Sequence, residues 1–358
     1  MKPVYHPSLV NDPFGDPAVY VDFLFDRRAI LFDLGDIRRL PVRKILRLTD
    51  VFVSHAHMDH FFGFDWLLRV CLGRELRIRL YGPRGFLDQV EHKLGAYTWN
   101  LVRLYPTHLI LEVTEVMDDD RGQRAEFRCH TAFRRERHRA VDLTGGILLD
   151  EPELTVRCAL LDHGTPSAAF ALQEKRHVNI WKNRLDELHL EPGPWVRALK
   201  RAILDEAPAS TMIRAIERRP GGSRERLVPL SDLAPRIAQV STGQKVAYVT
   251  DAVCHAANAS RILELTRAAD QLFIEAVFGD ALRERAAQKR HLTARQAGML
   301  ARTAGAKFAT PFHFSPIYRG RGEELGGEFE RAFRGQTDAT REAVEGPAAP
   351  EQGAQRGG

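Results

Sequence analysis

His55, His57, Asp59 and His60 fall within six residues, in the stretch Val51-Phe-Val-Ser-His-Ala-His-Met-Asp-His60. Neutral imidazole and carboxylate are ligands that divalent zinc prefers. An apolar run before the cluster predicts a strand, and Phe61-Phe-Gly-Phe-Asp-Trp-Leu-Leu after it predicts a helix. A short turn at a strand end aims His55 and His57 at one ion, and Asp59 and His60 at a second. Two ions roughly 3.5–4 Å apart form a clamp that hydrolyses phosphate esters and related bonds. The bland alternative is a histidine-rich surface turn, and the dense spacing and flanking elements argue against it.

A pair of ions needs more ligands than this turn supplies. Three later apolar runs each end in a ligand-type side chain: Val156–Leu161 in Asp162-His163, Val246–Thr250 in Asp251, and Lys307–Phe312 in His313. Sites in α/β proteins gather at strand ends. The reading is therefore His55, His57 and His163 on one ion, Asp59, His60 and His313 on the other, and Asp251 bridging. Each late residue alone reads as an ordinary strand-end side chain; the ordered set is the signal. Zinc is the expected metal, and manganese or iron(II) suits the same nitrogen and oxygen donors. A water shared by the ions would be acidified, with Asp59 as its general base or orienting group.

These residues need a scaffold. Strands are predicted at Ala29–Asp33, Val51–Ser54, Leu76–Tyr81, Leu154–Leu161, Lys245–Thr250, Gln271–Glu275 and Lys307–Thr310, and helices at Phe61–Leu72, Trp195–Leu204, Asn258–Ala268 and Thr293–Gly305, the last with Thr293 as N-cap. The alternation indicates a layered α/β domain over 1–334. Residues 175–241 interrupt it with charge, Pro and Gly, as an inserted arm. That arm is either a passive excursion or a nucleic-acid-contacting exosite, for which Arg197, Lys200 and Arg201 beside Trp195 are the candidates. Residues 335–358 read as a disordered tail.

The chain has 358 residues, with 52 Lys and Arg against 47 Asp and Glu, a net charge of +5. Such a balance is compatible with a polyanionic substrate without demanding one. Cys71, Cys129, Cys158 and Cys254 form no CxxC pair and read as small core residues of a reducing compartment. No signal-peptide core or membrane-length apolar run is present, so a cytoplasmic protein without membrane partners is expected. His92, His108, His130, His138, His177 and His189 read as surface residues, His255 as a loop residue, Trp66 to Leu68 as helix core, and Asp118 to Asp120 as a hairpin tip. Arg134 to Arg139 is a solvated basic run or a phosphate contact.

The opening motif with His163, Asp251 and His313 resembles the metallo-β-lactamase fold, which implies a four-layer αββα sandwich with a dinuclear zinc site. Further segments are similar to ribonuclease Z, the family of tRNA 3′-processing endoribonucleases. Phe273-Ile-Glu275-Ala-Val-Phe278 with His291-Leu-Thr-Ala294 looks like that family's Glu-Ala-Thr-Phe and His-Ser-Thr-Ala segments. Asp162-His163-Gly-Thr-Pro-Ser167, His313-Phe-Ser315 with Tyr318, and the Pro-Gly-Pro at 192–194 leading into the arm also match. The resemblance covers roughly residues 29–318. It implies His291 as the donor of a proton to the leaving ribose oxygen, with Glu275 behind it. It also implies substrate contacts from Ser315, Tyr318 and the arm, precursor tRNA as the RNA partner, and a homodimer in which one arm serves the other subunit's site. By spacing alone, His291 is equally an N-terminal helix residue and Glu275 a solvated strand end.

The chain departs from the family in three places. Val10-Asn-Asp-Pro-Phe-Gly-Asp-Pro17 replaces a Gly-Thr phosphate-pocket segment, Ile317 stands where the family often has Arg, and Thr250-Asp251-Ala252 replaces Gly-Asp-Thr. These changes bear on how RNA phosphates are met, and leave two rival readings. One is a same-fold hydrolase of a small phosphodiester, sulfate ester or lactone. The other is an RNA-binding protein with a dead site, against which every expected ligand is retained.

Overall fold

The computed structural model describes residues 4–336 apart from position 25. From residue 337 onward the predicted tail lies outside the described residues; Gly335 closes the last helix in a left-handed conformation.

Two sheets pack face to face with helices outside both. The first sheet runs in chain order: β1 (Tyr5–Leu9), β2 (Val19–Phe23), β3 (Ala29–Phe32), β4 (Leu48–Phe52), β5 (Leu76–Pro83), β6 (Leu109–Val116), β7 (Arg121–Arg128) and β8 (Arg135–Asp142). Its middle strands, β3 to β6, are parallel. Four helices belong to this half: α1 (Val42–Ile45), α2 (Met58–Phe61), α3 (Phe64–Cys71) and α4 (Phe86–Gly95). They bury Phe61, Phe64, Leu67, Phe86 and Val90 against alternate residues of the sheet, such as Leu31, Val51 and Leu80.

The second sheet begins with β9 (Ile147–Asp150), β10 (Leu154–Asp162) and β11 (Pro166–Glu174). The chain then leaves the sandwich through β12 (Arg176–Ile180), α5 (Lys182–Glu187), β13 (Leu190–Glu191), α6 (Trp195–Leu204), β14 (Met212–Arg219), β15 (Gly222–Pro229), α7 (Leu230–Ile237) and β16 (Ala238–Thr242). It returns to complete the sheet with β17 (Lys245–Val249), α8 (Ala256–Thr266), β18 (Gln271–Glu275), α9 (Arg283–Gln288), α10 (Ala294–Thr303), β19 (Phe308–Phe312) and α11 (Gly322–Arg334). The spatial order is β19-β18-β17-β11-β10-β9. Between the sheets lie Phe32, Phe52, Tyr81, Phe170, Tyr248 and Phe312, several of them stacked. Outside the second sheet, Ile262, Ala297, Leu325 and Phe329 seal the other helical layer. Apolar on both faces, each sheet has to be covered twice, which gives the αββα order.

The excursion has its own small core, including Leu185, Trp195, Leu199, Ile213 and Leu233. Antiparallel β12 and β16 form its stalk. The stalk root is polar. Glu174 accepts hydrogen bonds from the Gln244 N–H and pairs with His177 at 2.9 Å. His177 is buried there, contrary to the expected surface position.

Several expectations need correction. The helix expected at Phe61–Leu72 is two helices, broken at Phe62 and Gly63. Gly63 donates to Leu34 O at 2.7 Å, and a Cβ there would stand 2.2 Å from Gly35 O. That contact pins the break to the loop after β3. Trp66 is 37% exposed rather than core, and Cys254 is exposed. Ala-rich β11 was not foreseen, because Ala is a poor strand former until sheet packing on both faces overrides propensity. Thr293 does cap α10, in a reciprocal capping box with Gln296. Residues 117–120 do form the tip between β6 and β7.

Candidate metal centre

Strand ends bring the ligand-type side chains together. His55 and His57 follow β4, and Asp59 and His60 ride on α2. His163 sits in the tight turn joining β10 to β11, whose flanking residues Asp162 and Pro166 are paired. Asp251 follows β17 and His313 follows β19. Among the described residues, four of the ten non-glycine residues with positive φ are here: Asp33 (+60), Asp251 (+43), Arg290 (+62) and His313 (+61). Such conformations cost about 1–3 kcal/mol each and persist where surrounding packing enforces them.

The side chains form two groups around one carboxylate. His55, His57, His163 and Asp251 present ligand atoms within 4.8 Å of one another, as do Asp59, His60 and His313. Asp251 Oδ2 lies 3.6 Å from His55 Nε2 and 3.3 Å from His163 Nε2. Its Oδ1 lies 3.5 Å from His60 Nε2 and 2.9 Å from His313 Nδ1. One oxygen thus faces each group, the disposition a bridging ligand needs. Buried His55 Nε2 and His60 Nε2 make no hydrogen bond. Buried polar atoms left so are costly, and divalent cations would complete them. The donor set and its orphaned nitrogens therefore fit two metal ions.

Other residues hold the ligands from behind, as metal-site histidines require. Asp33, at the end of β3, faces Ser54 N at 2.6 Å, Ser54 Oγ at 2.8 Å, His60 Nδ1 at 2.8 Å and Tyr248 OH at 2.7 Å. His163 Nδ1 donates to Arg290 O at 2.8 Å. Sequence reasoning missed Asp33, although an acid closing a predicted strand was its signal.

The electrostatics divide the histidines. Burial, reinforced by His60, pushes His55 down to about 2, and burial with His163 lowers His57, so both are biased toward the neutral imidazole that a metal binds. Burial opposes charge on His313, but the Asp251 carboxylate outweighs it and raises the group to about 10. Burial raises Asp59, yet hydrogen bonding from His313 outweighs it and holds the carboxyl well below the usual range.

Beside these groups His291 Nδ1 lies 2.8 Å from Glu275 Oε2. Glu275 Oε1 accepts from Ala252 N at 2.7 Å. Burial disfavours the imidazolium of His291, but the charge and hydrogen bond of Glu275 outweigh it and raise its pKa. Glu275 is fully buried, so the solvated strand-end alternative for it falls.

The remaining candidates are not among these groups. Tyr318 is buried, with its hydroxyl oxygen accepting from Gly279 N at 3.1 Å, and Ser315 is buried with its N–H donating to Val277 O. Arg197 and Lys200 are on α6 of the excursion, where burial lowers the Lys200 pKa. His255 caps α8 through Nδ1, which accepts from Asn258 N.

The chain is similar to ribonuclease Z of Deinococcus radiodurans, with 31% identity over 318 residues that span 87% of this chain and 90% of that one. The chain belongs to the ribonuclease Z family. Ribonuclease Z of a Synechococcus species is 32% identical over 302 residues, spanning 80% of this chain and 77% of the relative. No family model matches. Among solved structures, the metallo-β-lactamase fold protein YhfI of Bacillus subtilis aligns with a TM-score of 0.52 and 13% identity over 92% of this chain and 94% of that one. That likeness shows the fold, as expected from the sequence. As a ribonuclease Z family member the chain is a hydrolytic endoribonuclease. No helix among the described residues is long and apolar enough to cross a membrane.

Proposed function

We propose that this protein cuts the 3′ trailer from precursor tRNA, with two zinc ions held by His55, His57, His163, Asp59, His60, His313 and bridging Asp251. The observation that carries this reading is the division of the Asp251 oxygens between two ligand groups, with the His291–Glu275 pair alongside. Bound there, the ions would supply Lewis acidity toward the phosphate and a water acidified to near neutrality. Asp59, ionised by its His313 hydrogen bond and 45% exposed, would orient an attacking water and accept its proton. The water oxygen bonds to phosphorus as the bond from phosphorus to the 3′ oxygen breaks. His291, whose protonated form Glu275 favours, gives its proton to the departing oxygen. The products are an RNA body with a free 3′-hydroxyl and a trailer with a 5′-phosphate.

The arm supports the tRNA reading. Residues 176–242 hold 12 basic and eight acidic side chains, a net of +4 out of +5 for the chain. Such an excess on a protruding unit suits a phosphate backbone. We assign residues 1–334 to one hydrolase domain with this arm as its exosite, and infer a cytoplasmic homodimer in which the arm serves the partner's site.

One observation favours hydrolysis of a small phosphodiester, sulfate ester or lactone instead. The loop between β1 and β2 brings acidic Asp16 near the centre, where burial and then Asp59 raise its pKa. An acidic rim repels a polyanion. The test is to give metal-loaded protein a 3′-extended precursor tRNA and, separately, bis(p-nitrophenyl) phosphate. A single cut at the 3′ end of the tRNA body, lost on chelation, is expected. Turnover of the small ester with intact precursor would sink the tRNA reading.

A further inference from the structure

The turn that presents His163 carries a second side chain across it. Gly164 has φ +81, and a Cβ there would stand 2.7 Å from Arg290 Cδ and Nε. The Arg290 side chain therefore occupies the space that glycine leaves open. Its backbone is tied to the same place, since Arg290 O accepts the His163 Nδ1 hydrogen bond at 2.8 Å and the next residue is His291. Holding a non-glycine residue at φ +62 for this purpose costs conformational energy.

The guanidinium is half exposed. Its Nη1 lies 3.4 Å from Asp162 Oδ1, and Asp162 is equally exposed. Asp162 also accepts from Gly164 N at 2.7 Å and lies 3.5 Å from His255 Nε2, so it keeps partners when the arginine turns away. A long, solvent-exposed ion pair contributes little. A phosphate diester offers two acceptor oxygens in the geometry that an arginine fork matches.

We propose that Arg290 binds a non-scissile phosphate of the RNA, one nucleotide from the bond that is cut. The inference rests on reading the centre as a phosphodiesterase. The scissile phosphate has to reach the two ligand groups around Asp251. The Arg290 side chain crosses the turn that carries His163, and its own neighbour in sequence is His291, so an RNA chain entering or leaving between those two histidines meets it. It is a binding residue, and its guanidinium takes no part in proton transfer.

The experiment compares two chromogenic substrates on metal-loaded protein: the p-nitrophenyl ester of thymidine 5′-phosphate, and the same ester of a dinucleotide carrying one additional phosphate. The wild type is expected to show a KM about tenfold lower for the dinucleotide, the size of one charge-assisted contact. Arg290→Ala should erase that advantage. Its kcat on the mononucleotide ester and its metal content should stay within twofold of wild type, because the backbone carbonyl that holds His163 is retained. Arg290→Asn, which tolerates a left-handed backbone, should behave alike, and Arg290→Lys should restore part of the preference. A dinucleotide advantage that survives in the Ala and Asn variants overturns the proposal. So does an equal loss on both esters, or a wild type without the preference. A wild type that prefers the dinucleotide ester but leaves precursor tRNA intact would sink the tRNA reading alone, with Arg290 still supported.

Discussion

Asp33 shows how much of the centre is decided by a residue that cannot itself reach a metal. It lies against Ser54, His60 and Tyr248 through four contacts of 2.6–2.8 Å, and so fixes the face that His60 turns toward Asp251. Asp33→Asn should weaken metal binding about 10–100-fold, the usual cost of disturbing such a support, as read by competition with a chromogenic chelator. An unchanged affinity would show that His60 is held by packing alone. His291 makes the contrasting case. His291→Ala should leave metal content intact and lower kcat on precursor RNA by about 10²–10⁴-fold, the range for a general acid. Its effect should shrink on an ester whose leaving group is already acidic, such as p-nitrophenolate, since that oxygen needs no proton. Equal loss on both substrates would remove the acid role.

At the scale of elements, the break between α2 and α3 and the stalk of the arm do most of the positioning. Gly63 packs against the backbone of Leu34 and Gly35 and so ties the helix bearing Asp59 and His60 to the loop bearing Asp33. The arm folds around its own core and joins the sandwich through a two-stranded ribbon. Replacing residues 181–237 by a short Gly/Ser turn should leave a folded, metal-binding body that turns over bis(p-nitrophenyl) phosphate at wild-type rates. Its affinity for precursor tRNA should drop at least about tenfold, and the salt dependence of binding should flatten as phosphate contacts are lost. Unchanged affinity in a filter-binding titration would make the arm a passive excursion.

For the whole molecule, the sheets are joined by apolar stacking and by an ionic cluster at one end of β3 and β9. Arg28 and Arg79 meet Asp50 at 2.7 and 2.6 Å, and both also pair with Glu151, which follows β9 of the second sheet. Burial raises the Glu151 pKa, but hydrogen bonds from Arg28 and Arg79 outweigh it and lower the group. A carboxyl lowered in the folded state stabilises above its unfolded pKa of about 4.3. That contribution is lost as pH falls through the folded value. Glu151→Gln should therefore lower the unfolding midpoint at pH 7, and the gap to wild type should close as pH falls below 4. A gap independent of pH would refute the ionic account. Chelation should lower the midpoint further, because ions bound only by the folded chain stabilise by mass action. A chelated protein melting with the untreated one would argue against a metal centre.

The cluster from His55 to His60 and the acid or histidine after each later apolar run were legible from the sequence, because ligand chemistry needs particular residue types at strand ends. Seven strands and the capped helix at 294–303 were legible too, from apolar runs and turn residues. The Ala-rich β11, the edge strands β1, β8 and β9 and the break at Gly63 were not, since tertiary packing overrode local preference there. Burial of His177 and Glu275 was equally hidden, because neither has a sequence neighbour that reports it. Only the folded chain decided which Asp251 oxygen faces which group, that Asp33 supports His60, and that Arg290 reaches across Gly164. Residue type and spacing are local properties that a sequence states outright. Convergence of loops 27 to 254 residues apart is set by two sheets closing on one another, and no local pattern encodes it.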